Sequence, residues 1–223
     1  GGAPARPPRL SVTRRVRIAH EVSLALAYLH AERVLHHDLK PGNILLNSDF
    51  VARVSDFGLS QLVARDDALP AAAYHPTQRS KEPTRPHPLG GTATFSAPEI
   101  TLQTVKPGFH ALCKLDVFSF GIVLAAVFAP NGDPYYFYVK EGVQVAKHEN
   151  DIRQAVARKG LRPRVPAALP ADIRPLMERC WAHYPDERPT FTEISQALRR
   201  YLVNHRELEN TTPAHLPVGP EAL

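Results

Sequence analysis

The stretch VLHHDLKPGNILL, residues 34–46, limits the fold more than any other. Two histidines, an aspartate, a lysine and an asparagine stand between short apolar runs on either side. The second run, Ile44–Leu46, is followed by the turn former NSD and then by Val51–Val54, a pattern that predicts a small β-hairpin. His36, His37 and Asp38 are metal-ligating residue types. Neighbouring side chains in an extended loop point apart, however, so they make a poor zinc set.

Helical patterns surround this loop. Ser11 to Arg33 holds no glycine or proline, and Ile18, Val22, Ala25, Leu26 and Leu29 recur at helical spacing. Ser11 or Thr13 can cap its start. Val117, Phe120, Leu124, Val127 and Phe128 predict a second buried stripe, and Ile173, Leu176, Met177, Cys180 and Trp181 a third. Thr190 and Glu193 have the spacing of a capping box, ahead of Ile194, Ala197, Leu198 and Leu202. Residues 64–89 are rich in proline, alanine and basic side chains, with no apolar period. A loop of that length is functional or disordered. The expected architecture is mainly α, of α+β type: a helical bundle with a small hairpin against it.

Composition excludes several classes. The apolar run 117–129 is too short and too interrupted to span a bilayer, and the N-terminus lacks the apolar stretch of a secretory signal. A formal charge of +5 comes from scattered arginines without aromatic interleaving, which fits a solvated surface better than a nucleic-acid footprint. Cys113 and Cys180 are too few for a disulfide framework. They read as buried thiols of a reducing, cytoplasmic compartment.

HHDLKPGN resembles the catalytic loop H-x-D-L-x-x-x-N of protein kinases, and SDFGLS follows at the family's spacing. GGTATFSAPEI is similar to the end of a kinase activation segment, with Phe95 where tyrosine is usual. DVFSFGIVL and RCWAHYPDERPTFTEI resemble the central and closing helices of the larger kinase lobe, the latter in its tyrosine-kinase-like form. The resemblance implies a C-terminal lobe over 11–205 with its activation segment at 56–99, between a disordered segment 1–10 and a disordered tail 206–223.

It also implies roles. Phosphoryl transfer needs positioning and charge neutralisation more than covalent help. Asp38 would orient the substrate hydroxyl and accept its proton. Lys40 would lie against the transferring phosphate, and Thr92 would bridge Asp38 and Lys40; both mark a serine/threonine kinase. Asn43 and Asp56 would hold Mg2+, Leu45 would floor the adenine of ATP, and His36 and Phe57 would stack in a hydrophobic spine. Glu99 and Arg188 would form a buried ion pair, Asp116 would hold the backbone of the catalytic loop, and Gly58 and Gly121 would allow bends or close packing.

The expected partner is a protein substrate, with no nucleic acid and no membrane within this segment. Two departures qualify the resemblance. No G-x-G-x-x-G loop, V-A-I-K lysine or paired helix glutamate precedes the catalytic loop, so a fragment lacking the first lobe is expected, or else a catalytically inactive half-kinase serving as a scaffold. His37 also stands where many kinases place arginine. Histidine lacks the planar fork that clasps a phosphate. The expectation is that activity does not depend strongly on phosphorylation of this loop, and that the stretch between Leu59 and Gly91, with Thr77, Ser80 and Thr84, is ordered by a regulatory partner or stays mobile.

Overall fold

The computed structural model describes residues 10–63, 92–135 and 149–205. Residues 64–91, with Thr77, Ser80 and Thr84, lie outside the described residues, as do 1–9 and 206–223. The expectations for both termini and for that loop therefore fall outside them too.

Six helices and two small antiparallel sheets make up the described chain. The first helix, α1, spans Val12–Ala31 and starts as the sequence predicts, with Ser11 Oγ accepting from the Arg14 amide at 3.2 Å. It stops two residues before Arg33, which turns left-handed at φ 59°.

Val34–Leu35 forms β1, Ile44–Leu46 β2, Ala52–Val54 β3 and Gln61–Leu62 β4. Strands β2 and β3 make the expected hairpin, with Ile44 opposite Val54. Its turn is set by Asn47, whose Oδ1 accepts from the amides of Asp49 and Val51. Glu21 of α1 accepts the Ala52 amide at 2.7 Å, which docks the hairpin on the helix. The pairing of β1 with β4 is new to the structure; two-residue strands carry no readable period.

The longest apolar helix departs from the expected stripe. It is α3, running Phe109–Phe128, after a short α2, Pro98–Leu102. Fifteen of the twenty α3 residues are buried, around its whole circumference. An all-round apolar helix belongs in the middle of a core. By length and composition it could cross a membrane, but the fold encloses it.

Glu149–Lys159 forms α4, Arg174–Cys180 α5 and Phe191–Asn204 α6. The third predicted stripe holds, since Ile173, Leu176, Met177, Cys180 and Trp181 are all buried. The capping box at α6 forms both ways: Thr190 Oγ1 accepts the Glu193 amide, and Glu193 accepts the Thr190 amide at 2.7 Å. Helix α6 packs on α1 and α5 on α3. At Gly121 of α3 an added Cβ would sit 2.9 Å from Cys180 Cβ, so glycine sets the separation of α3 and α5.

Candidate active site

The loop from His36 to Asn43 leaves β1 and is fixed from behind by Asp116 of α3. The fully buried Asp116 carboxylate accepts the His37 amide on Oδ1 at 2.8 Å and the His36 amide on Oδ2 at 2.9 Å. His30 of α1 adds its Nε2 to Oδ2 at 2.9 Å. Burial works to raise the Asp116 pKa, but the His30 hydrogen bond, the charges of His37 and His30 and the His36 amide together bring it down to about 2. An ionised carboxylate in the core thus holds the loop backbone. That backbone is strained, because His37 sits at φ 64°.

His36 is buried and faces the other way. Its Nδ1 accepts the Asp38 amide at 3.3 Å, which leaves the ring hydrogen on Nε2, 3.1 Å from the Ser55 carbonyl. The ring therefore ties the Asp38 backbone to the residue before Asp56.

Four donors from three places converge on the Asp38 side chain. Thr92 donates its amide and hydroxyl to Oδ1 at 2.9 and 3.1 Å. Lys40 Nζ reaches Oδ2 at 2.7 Å, and Asn43 Nδ2 reaches the same oxygen at 3.2 Å. Burial opposes ionisation, yet the Lys40 and Thr92 hydrogen bonds and the lysine charge hold the Asp38 carboxyl below the usual carboxylate range. Thr92 and Lys40 meet through opposite oxygens of this carboxylate.

Asn43 closes a 3₁₀ turn over Pro41–Asn43 and is buried. Its Nδ2 also bonds the Asp38 carbonyl at 2.8 Å, so its side-chain oxygen is the end left for a cation. The Asn43 carbonyl accepts both the amide and the hydroxyl of Ser55, bringing Asp56 beside it. Asp56 is exposed, at φ 63°, and its Oδ1 accepts the Gly58 amide at 3.3 Å. A buried amide oxygen and an exposed carboxylate are hard donors of the kind that suit Mg2+, which keeps most of its shell for water and phosphate. Among the described residues no cluster of three His, Cys, Asp or Glu side chains forms a rival metal site.

The sequence profile of the family described as protein tyrosine and serine/threonine kinase matches residues 5–198. The chain belongs to that family. Dual specificity protein kinase shkB of Dictyostelium discoideum is 32% identical over 189 residues, 84% of this chain and 24% of that protein. Tyrosine-protein kinase Srms of Mus musculus is 35% identical over 197 residues, 88% of this chain and 33% of that protein. Serine/threonine/tyrosine-protein kinase HT1 of Arabidopsis thaliana is 32% identical over 222 residues, 94% of this chain and 48% of that protein. The chain thus spans a quarter to a half of the length of these relatives.

The remaining predicted residues of the kinase lie on its open and buried faces. Leu45 is 57% exposed at the hairpin, opposite Arg53. His36 and Phe57 approach with ring centroids 5.4 Å apart, and Phe57 is 48% exposed among the described residues. Phe57 opens the turn at Gly58–Leu59, its carbonyl accepting the Ser60 amide at 3.1 Å. Gly58 leaves room for Asp56, whose Oδ1 a Cβ would meet at 3.2 Å.

Arg188 and Glu99 make a buried bidentate pair at 2.6 and 2.9 Å. The guanidinium also donates to the carbonyls of Ala182, Lys114 and His183 and lies over the Phe118 ring. Every side of this cation is satisfied, as a buried charge requires.

Sequence reasoning missed four contributors. His30 braces Asp116, Lys114 donates to the Arg188 carbonyl at 2.6 Å, and Ser119 donates to the Phe95 carbonyl at 2.9 Å. Gln61 hydrogen-bonds the His37 side chain. A histidine near a helix end carries no signal that it reaches a distant carboxylate, nor a lysine inside a helix that it is buried.

Proposed function

We propose that this lobe serves an ATP- and Mg2+-dependent protein serine/threonine kinase. One observation carries the reading: Thr92, Lys40 and Asn43, brought together from separate stretches, all hold the Asp38 carboxylate. In this reading Asp38 orients the substrate hydroxyl and takes its proton as the phosphoryl group moves. Its lowered pKa suits orientation more than strong basicity. Lys40, two residues away, neutralises charge on the transferring phosphate. Asn43 and Asp56 hold magnesium, which supplies charge neutralisation at the phosphates when bound.

Serine/threonine preference is supported by Lys40 and Thr92 beside Asp38, while the names of the relatives span tyrosine, dual and serine/threonine/tyrosine kinases. We also propose a cytoplasmic location, since both cysteines are free thiols. Cell fractionation tests that placement.

The lobe lacks the motifs of the first lobe, and we read it as part of a larger catalytic unit. A scaffold role is favoured by a different observation: Leu45, Phe57 and Leu62 are 57%, 48% and 74% exposed, large apolar side chains that a protein partner would cover. Labelled phosphate transfer by the complete protein, followed by phosphoamino-acid analysis, separates the readings. Phosphoserine and phosphothreonine support the enzyme. Phosphotyrosine alone overturns the specificity, and no transfer with any substrate favours the scaffold.

A further inference from the structure

We propose that the cavity between the end of α1, the start of α3 and the start of α6 binds a small-molecule carboxylate, with Lys114 taking its charge. The cavity has a volume of about 230 Å³. Ala27, Phe109, Val117 and Phe191 give it apolar walls, and Cys113 and Lys114 line it beside them. At about 30 Å³ for each water, that is room for a ring or short chain with its polar head.

Lys114 sets this cavity apart from a packing gap. The residue is 5% exposed, and its Nζ donates to the Arg188 carbonyl at 2.6 Å and to the Pro189 carbonyl at 3.4 Å. Pro189 lines the same cavity. An ammonium carries three hydrogens, so one is unspent among the described residues. Two carbonyls satisfy hydrogen bonds but bring no counter-charge, and a buried charge is costly until it is paired.

The acids nearby are engaged elsewhere. Glu193 holds the Thr190 amide and hydroxyl at 2.7 and 2.8 Å, and Asp186 pairs with Lys106 at 2.9 Å. Both act on Lys114 through their charge alone, and burial outweighs them, so its pKa lies below the usual lysine value. The Cys113 thiol is no substitute, because burial pushes its pKa up to about 12 and it stays protonated at pH 7. A carboxylate in the cavity supplies the missing counter-charge, and its apolar body covers the walls. Arg188 Nη1 in turn donates to the Lys114 carbonyl at 2.9 Å, so the site adjoins the Glu99–Arg188 pair.

The test titrates benzoate, and benzyl alcohol as its uncharged counterpart, into the complete protein while the Ala27 and Val117 methyl resonances are followed. Benzoate should shift both resonances and bind at least about tenfold more tightly than benzyl alcohol, the size of one charge-assisted hydrogen bond. Lys114→Met keeps the stem and removes the charge, and in that variant the preference should disappear.

Equal affinity for the two probes overturns the proposal. So does the absence of a shift at either methyl, or a preference that survives in Lys114→Met. If Lys114→Met fails to fold, Ala27→Leu decides, since it fills the cavity from α1 and leaves Lys114 in place. Benzoate binding should then be lost, and binding as in wild type overturns the site.

Discussion

Thr92 gives both its amide and its hydroxyl to one oxygen of Asp38, at 2.9 and 3.1 Å, across 54 residues of sequence. The bond joins Thr92 to the loop that holds Asp38, so the position of the 92–97 segment is felt at that carboxylate. Replacing Thr92 by valine removes the hydroxyl and leaves the amide. Turnover should fall about tenfold, with nucleotide affinity unchanged, as for one lost donor among several. Thr92→Ser, which keeps the hydroxyl, should stay near wild type. Steady-state kinetics of the pair checks this, and equal rates for Val and Ser variants would contradict it.

The Glu99–Arg188 pair holds α2 to the segment before α6 and is buried on both sides. Arg188→Ala leaves a carboxylate buried without its partner, and should cost about 3–5 kcal/mol in chemical denaturation. Lysine has no fork to satisfy both carboxylate oxygens and three carbonyls, so Arg188→Lys should recover little of it.

Acid should unfold the lobe partly through Asp116. Its folded pKa, about 2, lies below the ordinary 3.8, so its contribution is full above about pH 4 and is lost as pH falls towards 2. A displacement of that size corresponds to about 2–3 kcal/mol. Asp38 is shifted in the same direction and adds to the same limb. Urea denaturation between pH 2 and 5 should show a shallower acid limb in Asp116→Asn than in wild type.

The His37 pKa lies below its usual value, which favours the neutral ring near pH 7. Burial lowers its pKa, although Asp116 and the Gln61 hydrogen bond pull the other way. A neutral ring at pH 7 cannot clasp a phosphate as an arginine does. Changing Thr77, Ser80 and Thr84 together to alanine should therefore leave the activity of the complete protein within about twofold. Introducing His37→Arg should make activity sensitive to phosphatase. A triple-alanine variant that loses its activity would contradict this account.

Gly121 admits a simple packing test. An added methyl would press on Cys180 Cβ at 2.9 Å and on the Trp181 backbone at 3.1 Å. Gly121→Ala should destabilise by about 1–3 kcal/mol, as overpacking does. Differential scanning calorimetry should show the lowered midpoint.

Elements with strong local signals were legible in the sequence. The α1 stripe with its Ser11 cap, the Asn47 turn and the Thr190–Glu193 box are each set by residues within one or two turns of one another. The β1–β4 pair is too short for a period, and α4 hides because Ala155, Val156 and Ala157 are buried in succession, without a stripe. The early start of α3 at Phe109 was hidden by Lys114 and Asp116, charged residues whose burial depends on distant partners.

The candidate site divides in the same way. The chemistry of Asp38, Lys40 and Asn43 is packed into one loop, and resemblance supplied Asp56 and Thr92. His30 lies on a different helix 86 residues from Asp116, and only the folded chain brings them together.

The central claim is that the Asp38 carboxylate serves phosphoryl transfer. Its most direct test is Asp38→Asn in the complete protein, with phosphate transfer and ATP affinity measured side by side. The amide keeps the shape and can still accept from Thr92. The account predicts that turnover falls by at least about a hundredfold, the lower range for a lost catalytic acid–base group, while ATP affinity changes little. Turnover near wild type in that variant would contradict it.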